Sequence, residues 1–208
     1  MTFVVAQVPV SWDVEANLSS VREVVGSARA GDVVVLPEGM LSGYGEDLSP
    51  LDRLSPAVIS DAVADVERLA RSSGALAGAV VAVQLCREIR FPEQWQHLAA
   101  AGAQAFVYLT NAANVREVPG VWRSHLISRA AENQRFVVSS NVAHPDQHCP
   151  SMVVSPRGEV LGELPPGGAG VLRLTVDLAD AGDWYLGQRR TDVVSVTSHP
   201  TQTRPAEA

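Results

Sequence analysis

Apolar and polar residues follow two rhythms along this chain, and the balance between them changes once. Phe3–Val8 is a short apolar run that predicts a strand. Val14, Leu18, Val21, Val25 and Ala28 then fall at steps of four and three, one apolar face of a helix. Gly31-Asp32 ends that unit, and Val33–Leu36 is the continuous apolar strand expected where both sheet faces are covered. Ser55-Pro56 supplies a helix cap followed by proline at the first helical position, and Ile59, Ala62, Val63, Val66 and Ala70 are expected to face inward. Gly78–Leu85 predicts a strand, Pro92 opens a helix ending near Gly102, and Ala105–Leu109 is another strand. Gly120–Asn133 predicts a helix with Trp122, Leu126, Ile127 and Ala130 on one side, and Phe136–Ser140 follows as a strand.

After that point the helical rhythm stops. Met152–Ser155 and Glu159–Leu161 flank Pro156-Arg157-Gly158, a turn between two strands, and Val171–Val176 predicts a last strand. Alternation of strand and helix implies α/β layers with the helices outside. The expected organisation is a single domain over residues 1–195, with 196–208 a disordered Pro/Thr tail.

Composition narrows the function classes. A hydrophobic fraction of 46% and a net charge of -7, with no basic run, argue against a nucleic-acid partner. The apolar N-terminal run is interrupted by Gln7 and Pro9 and lacks a basic flank, so it reads as a strand rather than a signal peptide. No run approaches the ~20 apolar residues that span a bilayer. Cys86 and Cys149 are too few for a disulfide framework. A cytoplasmic chain with reduced thiols is the simplest expectation. All 16 Lys+Arg positions are arginine, a bias that genome base composition explains without function.

Three successive strands deliver chemistry at their C-terminal ends, where α/β sheets build sites: Glu38 after Val33–Leu36, Cys86 after Gly78–Leu85, and Asn111 after Ala105–Leu109. A buried thiol packs as a small apolar group. One at a strand-to-turn junction beside Arg87, Glu88 and Arg90 sits among charges that can lower its pKa from about 8.5.

Leu36-Pro-Glu38 with Gly43-Tyr44, then Cys86-Arg-Glu-Ile-Arg90-Phe-Pro-Glu93, resemble the base and nucleophile segments of the carbon–nitrogen hydrolase (nitrilase) superfamily. Thr110-Asn111-Ala-Ala-Asn, Ser128–Gln134, Phe136–Asn141, Ser151–Gly158 and Gln188–Asp192 are similar to its later segments, in one colinear order from about Phe3 to Asp192. The resemblance implies an α-β-β-α sandwich, no metal or other cofactor, a small-molecule substrate and pairing into at least a homodimer. It implies Cys86 as nucleophile and Glu38 as general base. The family places a lysine between those two residues. Here they are only 48 positions apart (86 − 38), one helix fills most of the interval, and the chain has no lysine. A nitrilase-like sandwich shortened by a strand pair between Glu38 and Cys86 is therefore expected.

Losing one preorganised donor at an oxyanion costs ~10²–10³ in rate. Arg87 and Arg116 are the candidates to replace it, with Asn111 as a further substrate-binding group; the plainer reading of both arginines is as solvated loop residues. A lysine on a partner chain is a further alternative. Two functions remain open. One is a cysteine-dependent hydrolase or acyl-transfer enzyme acting on a small amide or nitrile. The other is a non-catalytic relative serving as a binding or assembly subunit.

The remaining polar features have structural expectations. Glu93 reads as a first-turn helix charge, Arg129 and Glu132 as an ion pair on one helix, and Glu88 as a partner of Arg90 or an organiser of the nucleophile turn. His144-Pro-Asp146-Gln-His148-Cys149 carries ligand-type residues at a spacing that matches no zinc signature, so a polar loop near the site mouth is expected. Trp12, Trp95, Trp122 and Trp184 are expected as core or interface anchors, and the resemblance implies that Trp122 lies between subunits.

Overall fold

A computed structural model describes residues 1–45, 47–72, 79–111, 118–190 and 192–193. Arg116 and the 196–208 segment lie outside the described residues. The elements run β1 (Thr2–Gln7), α1 (Val14–Ser27), β2 (Asp32–Val35), α2 (Pro56–Ser72), β3 (Val81–Leu85), α3 (Pro92–Ala100), β4 (Ala105–Thr110), α4 (Val121–Asn133), β5 (Phe136–Asn141), β6 (Ser151–Val154), β7 (Val160–Leu164) and β8 (Gly170–Thr175).

The strands form two sheets, of order β2-β1-β8 and β3-β4-β5-β6-β7. Parallel pairing of β1 with β2 and of β3, β4 and β5 follows from the intervening helices, and the antiparallel β6 and β7 are joined by the short turn around Gly158. The sheets pack face to face through Phe3, Val5, Val35, Ala105, Val107, Phe136, Val138 and Val153. Val24 of α1 packs on the outer face of the smaller sheet, while Trp95, Leu126 and Ala130 of α3 and α4 cover the larger one. This is the expected α-β-β-α sandwich.

Local sequence explains the helix ends. Asp13 caps α1, its carboxylate accepting from the amides of Glu15 at 3.0 Å and Ala16 at 3.1 Å. Pro92 sits first in α3, where the missing amide hydrogen is no loss. The inward stripes differ in detail from the sequence expectation. In α1, Val24 is buried and Val25 only half-buried. In α2, Ile59, Ala62, Val66 and Leu69 turn inward while Val63 and Ala70 are exposed. Steps of three, four and three from Ile59 through Ala62 and Val66 to Leu69 keep to one face, and Val63 falls beside it, 41% exposed. Trp95 and Trp122 are core residues, whereas Trp184 is 65% exposed and rests edge-on against Tyr185, so it is no buried anchor in this chain.

Between β2 and β3 the described residues hold a 3-10 turn (Ser49–Arg53) and α2, and no strand. The smaller sheet therefore ends at β2, and β3 extends beyond it. Val83 and Leu85 share the inter-sheet face with Val107 and Leu109, their register partners in β4, yet are 56% and 44% exposed. An apolar groove of about 330 Å³ between Val35, Leu36, Met40, Val66, Val107 and Leu109 marks the same open side. No helix among the described residues is long and apolar enough to cross a membrane.

Polar groups pin the sheets at the closed side. Ser140 Oγ donates to Ala6 O at 2.7 Å, and Gln7 Oε1 accepts from Ser151 Oγ at 2.7 Å. At the opposite end of the larger sheet, Arg135 is 4% exposed and donates to the carbonyls of Ala99, Ala103, Asn133, Gln134 and Gly182 and to the Asp183 carboxylate. One guanidinium thus ties the ends of α3 and α4 to the C-terminal segment. Replacing it removes its bonds to five carbonyls; Ala99 O and Gln134 O keep the backbone amides of Gly102 and Gly182, and each carbonyl left unpaired costs roughly 1–3 kcal/mol. We expect Arg135→Met to lower unfolding free energy by about 3 kcal/mol or more, measured by urea denaturation; a loss under about 1 kcal/mol would show the network to be dispensable.

Candidate active site

The site forms at the C-terminal ends of β2, β3 and β4. Leu36-Pro37 carries the chain out of β2 into the turn that begins at Glu38. Gly39 at φ 77° and Gly43 at φ 80° shape this turn, which Gly43 N closes on Gly39 O at 2.8 Å. A Cβ on Gly43 would lie 2.7 Å from Ser11 O, so the backbone approach there admits no side chain.

Cys86 begins a 3-10 turn, Cys86–Arg90, with φ at 40°. A non-glycine residue in this left-handed region is strained by roughly 1–3 kcal/mol and persists only when its surroundings hold it. Four contacts do so. Leu85 N donates to Glu88 Oε2 at 2.6 Å, and the Tyr108 hydroxyl donates to Cys86 O at 2.5 Å. Trp95 Nε1 donates to Glu88 O at 2.9 Å. Arg129 donates to Ile89 O through Nε at 3.1 Å and Nη2 at 2.9 Å. Glu88 therefore organises the Cys86 turn. Arg129 also meets Glu132 at 2.7 Å, the expected intrahelical ion pair, while its main work is on the turn.

Glu38 and Cys86 converge. Burial raises the pKa of the Cys86 thiol above its ordinary value, and the charge and hydrogen bonding of the Glu38 carboxylate raise it further. The Thr110 hydroxyl and the Asn111 amide act the other way, favouring the thiolate. That same amide donates to Glu38 Oε2 at 3.2 Å, so it bridges the two groups. Tyr44 borders the pair: burial raises its pKa first, then the charges of Cys86 and Glu38, while Arg87 lowers it. Tyr108 is fully buried, and its pKa is raised well beyond the ordinary phenol value chiefly by burial, so it stays a neutral donor.

Of the groups expected from sequence, Glu38, Cys86 and Asn111 are brought together. Arg87 is exposed, and its charge reaches Tyr44. The segment from His144 to Cys149 divides rather than clusters. His144 and Asp146 are exposed, Cys149 is fully buried, and Gln147 turns inward to donate to Asn111 Oδ1 at 2.8 Å. Among the described residues no three His, Cys, Asp or Glu side chains are placed to hold a metal ion.

Sequence reasoning missed Tyr108, Thr110 and Gln147. Tyr108 and Thr110 read as ordinary strand residues, although their alternation puts both on one face of β4, the face toward Cys86. Gln147 lay within a segment read only for its ligand-type histidines, aspartate and cysteine. Thr110 Oγ1 and Gln147 Oε1 are buried and have no hydrogen-bond partner.

Comparison with known proteins agrees with this fold. The fold matches the amidase of Nesterenkonia sp. AN1, described as a nitrilase-superfamily enzyme, with TM-score 0.74 and 19% identity over 93% of this chain and 95% of that one. Another structure of that amidase shows the acetamide moiety of fluoroacetamide added covalently at its active-site cysteine, with TM-score 0.72, 19% identity and coverage of 93% and 95%. In sequence, the chain is 29% identical over 149 residues to the 2-oxoglutaramate amidase of Paenarthrobacter nicotinovorans, covering 64% of this chain and 47% of that protein. It is 34% identical over 105 residues to the Bacillus subtilis 2-oxoglutaramate amidase, covering 48% and 39%. It is 34% identical over 91 residues to the hydrolase in the agr operon of Staphylococcus aureus, covering 42% and 34%. The chain thus spans about a third to a half of the length of the curated relatives it matches. The carbon–nitrogen hydrolase family model matches residues 65–186, a stretch that holds Cys86 and Asn111 and follows Glu38. That match spans more than half of the chain, and the chain belongs to the carbon–nitrogen hydrolase family.

Proposed function

We propose that this chain is a cysteine-dependent amidase acting on a small C–N substrate, with Cys86 as nucleophile and Glu38 as general base. The observation that carries the reading is the convergence of the Glu38 carboxylate, the Cys86 thiol and the Asn111 amide at the rim of the sandwich.

Burial and the Glu38 charge keep the thiol protonated in the resting state. Attack then requires transfer of its proton to Glu38 as the sulfur–carbon bond forms at the amide carbonyl. Collapse of the tetrahedral adduct breaks the C–N bond, and the amine leaves with the proton that Glu38 had taken. Water, deprotonated by Glu38, attacks the thioester; the acid departs and Cys86 recovers its proton. The developing oxyanion needs a donor. Arg87, next to Cys86 in the chain, and Arg116, outside the described residues, are the arginines we retain for that role. By the same resemblance the working unit is taken to be a homodimer, a state sedimentation would establish.

Three variants test the chemistry on short aliphatic amides such as acetamide and butyramide. Cys86→Ala should abolish hydrolysis, and Glu38→Gln should lower it by about 10²-fold or more. Alkylation of Cys86 by iodoacetamide, followed on its peptide by mass spectrometry, should fall in parallel for Glu38→Gln at neutral pH. At alkaline pH the variant should catch up, because removing a neighbouring negative charge lets the thiol ionise at lower pH. Equal neutral-pH labelling with and without the carboxylate would refute Glu38 as base and leave a non-catalytic binding subunit as the better reading.

The cation is tested separately. Arg87→Met and Arg116→Met are compared in the same hydrolysis assay, and the one that stabilises the oxyanion should lose about 10²–10³ in kcat. Unchanged turnover in both would exclude Arg87 and Arg116 from that role.

A further inference from the structure

Thr110 is the last residue of β4 and is fully buried. Its hydroxyl has no hydrogen-bond partner, although a buried hydroxyl in a folded protein is nearly always paired. β4 alternates so that Tyr108 and Thr110 share one face, and the Tyr108 hydroxyl already holds Cys86 O at 2.5 Å. The next residue, Asn111, supplies the amide that holds Glu38 Oε2 at 3.2 Å. Thr110 therefore stands between the two backbone contacts that fix the carboxylate and the thiol, with a free donor.

We propose that the Thr110 hydroxyl is a thiolate-holding group, which donates a hydrogen bond to Cys86 Sγ once the proton has moved to Glu38. The inference rests on the reading of Cys86 and Glu38 as nucleophile and base. In the resting thiol form the hydroxyl is left without a well-formed bond; in the thiolate form it gains a charged acceptor. Such a group stabilises the reactive state over the resting one, which is where binding energy accelerates a reaction. Its effect on the thiol already has this sign, opposite to that of burial and of Glu38. The Asn111 amide assists from the other contact, but it is shared with the carboxylate. Thr110 Oγ1 makes no well-formed bond in the resting state, and its neighbour Tyr108 is already committed to Cys86 O.

Two consequences separate this role from a structural one. A hydroxyl that bonds nothing in the folded resting state contributes nothing by bonding, so Thr110→Val, close to isosteric, should leave the melting temperature unchanged or raise it. The same variant should lower the neutral-pH rate of Cys86 alkylation about tenfold, the worth of one hydrogen bond to a charged group.

The experiment compares the wild type, Thr110→Val, Thr110→Ser and Glu38→Gln, using iodoacetamide as probe across pH 5–10 with thermal melts alongside. The expected signature for Thr110→Val is a lower neutral rate with the alkaline midpoint moved up. Thr110→Ser, which keeps the donor, should restore most of the rate. For Glu38→Gln the neutral rate falls while the alkaline midpoint moves down. The opposite directions of that midpoint keep the two ideas apart. A wild-type profile in Thr110→Val overturns the thiolate-holding role even if Glu38→Gln behaves as expected. An unaffected Glu38→Gln with a shifted Thr110→Val overturns the base instead. Should Thr110→Val fold poorly, Thr110→Ala takes its place, and a drop in melting temperature that accounts for the rate would also count against the proposal.

Discussion

The architecture of the site depends on one short turn held against its own backbone preference. Cys86 lies at φ 40°, a conformation that glycine adopts freely and a side chain does not. Glu88 closes the turn from within by accepting the Leu85 amide, and Tyr108, Trp95 and Arg129 hold its carbonyls from β4, α3 and α4. Every layer on that side of the larger sheet thus contributes one donor. The turn starts where β3 ends, and the thiol it carries meets Glu38 from the turn that follows β2. A looser turn would leave the sulfur packed as an ordinary small apolar group, and the carboxylate would have nothing to act on.

Much of this was legible in the sequence, and the boundary of what was legible has a physical cause. Glu38, Cys86 and Asn111 each follow an apolar run, and parallel strands carry such residues to one rim whatever the details of packing. Positions whose role depends on a distant partner were not legible. Arg135 follows a helix and precedes a strand, and nothing local announces that it will collect carbonyls from Ala99 to Gly182. Tyr108 and Thr110 look like strand filling until the register of β3 against β4 places them beside the nucleophile turn. The α2 face shows the same limit: Val63 is as apolar as Val66, yet Val66 is half-buried and Val63 exposed, and nothing local distinguishes them.

That short interval between β2 and β3 shapes the molecule as a whole. With three strands over five, the smaller sheet cannot cover the larger, and β3 keeps its inter-sheet valines and leucine partly in water. Burial on the other side has to hold the layers in register. The polar pins do this with specificity that apolar packing lacks, because Ser140 to Ala6 and Gln7 to Ser151 can each be satisfied in only one registration of the sheets. The pins lie at the C-terminal ends of β1 and β5, beside the site, so the layer spacing is fixed where Glu38 must meet Cys86.

The charge balance at that meeting point decides what the site still requires. Loss of the Cys86 proton to solvent would place a second negative charge beside Glu38 in a partly buried space, which is why the thiol is held protonated. Transfer of the same proton to Glu38 creates no new charge; it moves one from oxygen to sulfur, and attack on a carbonyl moves it again, onto the acyl oxygen. On the proposed reading the site carries a single negative charge throughout, and donors placed along the path of that charge would support the reaction. The Asn111 amide bonds Glu38 at its start, and the role proposed for the Thr110 hydroxyl would lie at its middle. What remains is a donor at its end, the position for which an arginine must be tested in a chain that has no lysine.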